Sequence, residues 1–430
     1  MRLPLSVLST TLVLVLTIAA CKKDKPHESV TSVTDTTIHI NYIYLATSWQ
    51  VQQDSVSQYE LILTSGSTVV LDTIAAVNTP LSTDIKTPSA LVDMTVIIYR
   101  PVASAYYITT EKAISPGAWS LLPGSDSVIG LPASNPIPNY TNAYVYYTHV
   151  PVASGQPYYF SGSNANIQMG TYNNPSNDQL TLLFGQYPGF DVYLSFPNQA
   201  LYNFHHMSGS SADTVDLSAM DTAISLRIPR PSIYTQTEVF VNGFPDTTNL
   251  AQDISVSANQ PGVDTITGAD VVYPGYKKVF QKYQFSYTAY DNGYADLCSY
   301  GDFWADSINP TPILLDNTYF NLTSNTNNNF SVLFTKGSPG SYSMQYTGTQ
   351  FYLTVNAPSD SVLLHPLSFL TALKGKMLQN VALSSMQPTD FSFGYEVIQG
   401  QLQPLFNAPI TNLYANQRST VPLTFFQKTF

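Results

Sequence analysis

Thr37-Ile38-His39-Ile40-Asn41-Tyr42-Ile43-Tyr44-Leu45 alternates in character. Ile38, Ile40, Tyr42 and Tyr44 fall on one side of an extended chain, and Thr37, His39, Asn41 and Ile43 on the other. A period of two marks a strand with one buried face. The same reading predicts strands at 59–63, 68–71, 95–99, 143–148, 180–184 and 190–196, with a turn signal at Pro188-Gly189 between the last two. A three-strand meander is expected at 330–335, 341–346 and 349–355, turned at Gly337-Ser338-Pro339-Gly340 and at Thr347-Gly348. Helical spacing occurs once, at 368–381, through Phe369, Leu370, Leu373, Met377 and Val381. Gly375 interrupts that stretch, and a strand–turn–strand about Lys374-Gly375-Lys376 competes with the helix.

Composition agrees with many short strands. The chain has 430 residues, 13% of them aromatic, with 30 Tyr, 29 Pro and 22 Gly. The expected fold is all-β, a tandem series of immunoglobulin-like β-sandwiches. Two Pro-rich breaks set the expected boundaries: Pro132-Ala133-Ser134-Asn135-Pro136-Ile137-Pro138 and Ser257-Ala258-Asn259-Gln260-Pro261-Gly262. They divide the chain into sandwiches at 37–131 and 139–256 and a β-rich unit at 262–430. A duplication is also suggested. Leu180–Phe184, Pro188-Gly189 and Asp213–Leu217 are echoed by Phe330–Phe334, Pro339-Gly340 and Asp360–Leu364.

The N-terminus reads as an address. Arg2 precedes an apolar core, Leu12–Ile18, and then Ala19-Ala20-Cys21. The apolar stretch from Leu5 to Ala20 is 16 residues, short of the about 20 that a membrane span needs. Ile18-Ala19-Ala20-Cys21 resembles a lipobox. The resemblance implies a signal peptide at 1–20, a diacylated Cys21 and a polar tether through residue 36. Cys298 is then left without a partner, so an exported protein of this size has no disulfide and rests on core packing. It is expected to be a small buried apolar residue rather than a catalytic thiol.

Net charge is −11, from 17 basic and 28 acidic residues, the wrong sign for tracking phosphate backbones, so no nucleic-acid partner is expected. No Gly-x-Ser-x-Gly elbow, His-Glu-x-x-His helix, Ser-x-x-Lys or Gly-rich phosphate loop occurs. Glu occurs only five times; Asp could serve in glycoside hydrolysis, but nothing in the spacing nominates a carboxylate pair. His205-His206 would point to opposite faces of a strand, which argues against a shared metal. The chain is therefore read as non-enzymatic, without a metal site.

Asp outnumbers Glu 23 to 5 and recurs before Ser or Thr. Ten such positions match Asp-(Ser/Thr)-(Ala/Ile/Val/Thr). This resembles the O-glycosylation sequon of exported Bacteroidota proteins, which implies sugar on Thr36, Ser55, Thr73, Ser127, Thr214, Thr222, Thr247, Thr265, Ser307 and Ser361. Asp-Thr-Val is also a favourable turn exit into a strand, and the two readings are compatible. With the lipobox, the pattern resembles a Bacteroidota lipoprotein anchored to the outer membrane. Lys22-Lys23-Asp24-Lys25 departs from the acidic residues that follow the lipid Cys in surface-delivered members, leaving both membrane faces open.

Polar and aromatic residues are densest at 283–306. Tyr290, Asp291, Asn292, Tyr294, Asp296, Tyr300 and Trp304 form the expected glycan contact, with rings to stack on sugars and carboxylates or amides to bond hydroxyls. Asp291-Asn292-Gly293 with Asp296 is alternatively an oxygen cage for calcium, though without EF-hand spacing. The third reading is a tyrosine-rich core strand with Asp at its turns. The layout resembles surface glycan-binding lipoproteins of starch-utilisation-type systems, implying a carbohydrate or surface-protein partner. The alternative is a structural subunit of a fimbrial or other surface assembly. Many such subunits are cleaved after an Arg near the mature start, but no Arg occurs here between Arg2 and Arg100.

Overall fold

A computed structural model describes residues 36–44, 46, 48–114, 118–121, 141–163, 167–174, 178–186, 190–207, 211–248, 253–259, 268–275, 278–291, 295–326, 329–360, 363–364, 373, 375–379, 381, 386–404 and 421–430. The strands group into four successive units with one plan. The first unit holds β1 (Thr36–Tyr44), β2 (Gln58–Ser65), β3 (Thr68–Ala76), β4 (Leu81–Thr87), β5 (Val92–Arg100), β6 (Ala105–Ile114) and β7 (Ala118–Leu121). The second holds β8 (Thr141–Thr148), β9 (Gln156–Gly162), β10 (Gln168–Tyr172), β11 (Gln179–Gln186), β12 (Asp191–Phe196), β13 (Leu201–His206), β14 (Ala212–Asp216) and β15 (Asp221–Thr222). The third holds β16 (Ile224–Pro229), β17 (Gln236–Phe244), β18 (Ile254–Asn259), β19 (Gly268–Tyr273), β20 (Lys282–Tyr290) and β21 (Asp296–Ala305). The fourth holds β22 (Phe320–Thr326), β23 (Asn329–Phe334), β24 (Ser341–Thr347), β25 (Phe351–Pro358), β26 (Leu363–Leu364), β27 (Gln387–Ile398), β28 (Gln401–Pro404) and β29 (Leu423–Thr429).

In each unit four strands form one sheet: β3-β2-β5-β6, β10-β9-β12-β13, β18-β17-β20-β21 and β25-β24-β27-β29. A second sheet pairs the first strand with the fourth in three units, β1 with β4, β8 with β11 and β16 with β19, and β23 with β26 in the fourth unit, where β22 precedes the corresponding first strand, β23. In the first two units a later strand, β7 or β14, runs parallel to the first. In the fourth, β22 takes that side but runs antiparallel. Two sheets closing on an apolar interior make each unit an immunoglobulin-like sandwich, and the chain is a tandem array of them.

The opening stretch behaves as its alternation requires. Ile40, Tyr42 and Tyr44 enter the core of the first unit beside Tyr59, Leu61 and Leu63, while His39 and Asn41 face water. β2 and β12 do not alternate, and both are buried almost throughout. Tyr59, Leu61 and Leu63 fill the first unit's own core, whereas Ile62 turns the other way into a large shared core. Val192, Leu194 and Phe196 likewise serve the second unit while Tyr193 enters the shared core. Strands covered on both faces read as apolar runs.

The arrangement of units differs from a string of three domains. The four-strand sheets of the third, fourth and first units join edge to edge into one 13-stranded sheet. β21 pairs antiparallel with β29, and β25 pairs parallel with β6. The expected boundary at 257–262 overlaps β18, which is bonded to β17 inside this sheet. Residues 224–256, expected in the second sandwich, thus belong with the third, and 262–430 holds strands of both the third and the fourth units. The break at 132–138 lies outside the described residues. The second unit is attached by packing: Ser161 Oγ donates to the Ser255 carbonyl, and Phe280 sits 6.2 Å from Tyr193 and 5.6 Å from Phe204.

The units share one strand plan, but the echoed segments do not occupy equivalent places in it. Leu180–Phe184 lies in β11, a fourth strand, whereas Phe330–Phe334 lies in β23, a first strand. Similar strand sequences recur at non-equivalent places because any half-buried strand has the same pattern. The meander also divides: β24 pairs with β25, but β23 crosses to the opposite sheet and pairs with β22 and β26. Within the helical candidate the described residues form a 3-10 turn at Lys376–Leu378. The rest of 368–381 is largely outside the described residues.

Gly394 shows how closely the joined sheet is packed. It pairs with Phe425 across β27 and β29, and a Cβ there would lie 2.4 Å from the Phe425 ring and 3.0 Å from the Thr424 carbonyl oxygen. Gly394→Ala is expected to lower stability by about 1–3 kcal/mol through overpacking, read as a lowered urea midpoint.

Candidate binding surface

The tyrosines of 283–306 serve first as structure. β20 alternates, with Tyr283, Phe285, Tyr287 and Ala289 buried. Tyr290 is 1% and Tyr300 2% exposed, so neither ring is open to stack on a sugar. Tyr290 donates its hydroxyl to Glu238 Oε1 at 3.1 Å, and the Tyr300 hydroxyl accepts from Asn309 Nδ2 at 3.4 Å. Half-buried Trp304 packs on Phe244 with centroids 5.4 Å apart. Asp291 caps its turn by accepting the Ala295 N–H, and Asp296 pairs with Lys428 at 2.7 Å across the β21–β29 joint. Asn292 and Tyr294 lie outside the described residues. The period of two in Tyr283–Ala289 was the signal for a core strand.

No three of His, Cys, Asp and Glu converge on a metal-sized site among the described residues. Each described histidine is bonded to an aspartate: His39 to Asp84, His149 to Asp216, His205 to Asp213 and His206 to Asp191, at 2.7–3.1 Å. The hydrogen bond from His205 holds the Asp213 carboxyl below its usual range, and the Ser218 N–H does most of this for Asp216. Buried Cys298 accepts the Leu315 N–H, and desolvation pushes its thiol up to about 12, which leaves it an inert packing group.

Of the proposed glycosylation positions, Ser55, Thr214, Thr222 and Ser307 are exposed and Thr73 and Thr247 half-buried. Thr36 opens β1. Ser127, Thr265, Ser361 and Cys21 lie outside the described residues. Asp306 accepts from the distant Lys282, but other aspartates before them have local partners: Asp246 accepts from the Thr248 N–H and hydroxyl, and Asp213 from the Thr214 N–H. These are the turn and strand-entry roles that short carboxylates favour.

Exposed aromatic surface lies elsewhere, on the outer face of the second unit. In β8, Ala143, Val145 and Tyr147 point inward, which forces Tyr144 and Tyr146 outward. Their exposures are 41% and 44%, and their rings lie 6.4 Å apart and 17° from parallel. β8 is the middle strand, so the pair occupies the centre of its face. Exposed Leu183 lies opposite Tyr144 on β11, and Thr181 and Thr214 lie opposite Tyr146 on either side. The result is a flat apolar strip edged by hydroxyls. Nothing singled it out in sequence, because Tyr144-Val145-Tyr146-Tyr147 does not say which tyrosines are inside.

A second aromatic pair marks the joint between the first and fourth units. Tyr107 of β6 and Tyr352 of β25 are register partners, stacked at 4.9 Å and 23°. The Arg100 guanidinium lies 4.1 Å from the Tyr107 centroid and pairs with Asp54. Thr109 faces Thr354 and Glu111 faces Asn356 on the next rungs.

No family model and no curated protein matches the chain. Among solved structures it is similar to the central fibronectin-III array of RIM-binding protein, at 13% identity over 61% of this chain and 88% of that one, with a TM-score of 0.12. It is also similar to the pilus adhesin SpaC from Lactobacillus rhamnosus GG, at 9% identity over 75% of this chain and 44% of the adhesin, with a TM-score of 0.12. The chain thus spans less than half the adhesin's length. The class rests on the strand pairing: this is a tandem immunoglobulin-like β-sandwich protein with an exposed aromatic face on its second unit.

Proposed function

We propose that this chain is a lipid-anchored, non-catalytic binding protein of the bacterial outer membrane that holds carbohydrate on the Tyr144–Tyr146 face. The carrying observation is the exposed, near-parallel ring pair at the centre of that sheet. Two exposed, near-parallel aromatic rings edged by threonines suit the apolar faces and hydroxyls of a glycan. Attachment through Cys21 is supported by the lipobox-like Ile18–Cys21.

The test uses the mature lipoprotein in detergent, mixed with insoluble polysaccharides such as starch granules, cellulose and chitin. Retention on at least one is expected, and Tyr144→Ala with Tyr146→Ala is expected to weaken it at least about tenfold, or about 1.4 kcal/mol. Both rings are partly exposed on a central strand, so the double variant is expected to lose no more than about 2 kcal/mol of stability and to remain folded. Undiminished retention by the variant sinks the reading. Separately, labelled palmitate is expected to enter the wild-type chain and not Cys21→Ser.

The second reading, a surface-assembly subunit, is favoured by sheets that already continue edge to edge within the chain. Filaments of the purified mature protein under electron microscopy would support it.

A further inference from the structure

The first unit's four-strand sheet has a second face, turned away from its own core. Ile62, Ile97 and Ile108 lie there, and the fourth unit covers them with Leu373 and Leu378. A clamp holds this cover in place. Glu60, wholly buried on β2, accepts the N–H groups of Lys376 and Met377. Lys376 Nζ reaches the Asp72 carbonyl at 2.6 Å and its carboxylate at 3.2 Å.

Where the cover ends, beside Met377, the face opens into a cleft of about 220 Å3. Tyr99 and Tyr106, register partners on β5 and β6, line it with ring centroids 4.8 Å apart. Met377 and Pro101 also line it, and Ser55, Ser57 and Gln58 supply its polar groups. The segment carrying the serines is anchored by Val56, which is buried in the first core and donates its N–H to the Gln50 carbonyl at 3.0 Å. Ser55 stands in the left-handed region at φ 56°.

We propose that this cleft binds one pyranose ring, its apolar face on the two tyrosines and its hydroxyls on Ser55, Ser57 and Gln58. Among the described residues no charged side chain lines the cleft, which disfavours phosphates and carboxylates. The volume lies below the roughly 300–1,000 Å3 of ordinary ligand pockets, so it suits a single ring. Hydroxyls and a carboxamide both donate and accept, as neighbouring sugar hydroxyls require. One wall comes from another unit, so the site exists only where the first and fourth units are docked. The ligand class rests on the carbohydrate reading above, but the site is separate from the Tyr144–Tyr146 face.

Saturation-transfer NMR on the full mature chain, with methyl pyranosides of glucose, galactose and mannose, tests the proposal. Transfer to the ring protons of at least one is expected at millimolar concentration. In the Tyr144→Ala/Tyr146→Ala background, where the outer face of the second unit no longer contributes, it should fall at least tenfold on adding Tyr99→Ala, and likewise on adding Gln58→Met, a milder change should the first variant unfold. Tyr144→Ala with Tyr146→Ala should leave it intact. No transfer to any of the three, or transfer surviving both cleft variants, overturns the site. Retained transfer with lost polysaccharide retention in Tyr144→Ala/Tyr146→Ala supports both sites. Lost transfer in that variant overturns the cleft alone.

Discussion

Phe391→Ala is expected to lower stability by about 3–5 kcal/mol, the range for deleting a buried aromatic ring. Phe391 is wholly buried on β27, a central strand of the joined sheet. Its ring lies 5.1 Å from Phe320, 5.2 Å from Phe330 and 5.6 Å from Phe393, and so links the fourth unit's two sheets. Removing it leaves a cavity among rings fixed by their own strands, with little scope for collapse. The fourth unit also sits between the third and the first in the 13-stranded sheet. Amide exchange is therefore expected to quicken at both joints, β21–β29 and β25–β6, as well as around the cavity. A loss below about 1 kcal/mol in urea titration, or exchange unchanged at the joints, would contradict the shared core.

The second large effect is a pH dependence at the β6–β25 joint. Asn356 Nδ2 donates to Glu111 Oε1 at 2.7 Å across the parallel pair. Burial pushes the Glu111 carboxyl up from 4.5 to about 7, against the opposing pull of that hydrogen bond. The folded state thus binds this proton more tightly than the unfolded chain does. The associated stability is fully present below about pH 4.5 and is lost as pH rises through about 7. The expected loss from this one group between pH 5 and 8 is about 1–3 kcal/mol. Glu111→Gln is neutral at every pH, so its stability should lack this component and exceed wild type at pH 8. Urea titrations of both proteins at pH 5, 6.5 and 8 measure it, and parallel pH profiles would exclude Glu111 as the source. Glu60 is raised by desolvation in the same sense, and its contribution cancels in the comparison.

Several elements were legible in the sequence. The alternation of 37–45 placed Ile40, Tyr42 and Tyr44 inside, where they are. The predicted strands at 59–63, 95–99 and 190–196 all fall within β2, β5 and β12 or overlap them. The candidate site was read less well. Rings and carboxylates at 283–306 have the composition of a sugar site, but the same composition builds a tyrosine-rich core strand. Tyr300 is inside because it lies beside inward-facing Tyr287, its register partner, and Tyr290, at the strand end, is held by Glu238. Tyr144 and Tyr146 escaped notice because exposure depends on what lies opposite.

The order of amino acids was enough to assign an all-β chain and a repeated strand pattern, because backbone geometry ties a period of two to one buried face. Which sheet edges meet, how many sandwiches form and which tyrosines reach water were decided only in the assembled molecule. Edge pairing uses main-chain N–H and C=O groups that every residue carries alike. The choice of partner therefore rests on the summed packing of distant side chains, such as the Tyr107–Tyr352, Glu111–Asn356 and Asp296–Lys428 rungs, which no local stretch encodes.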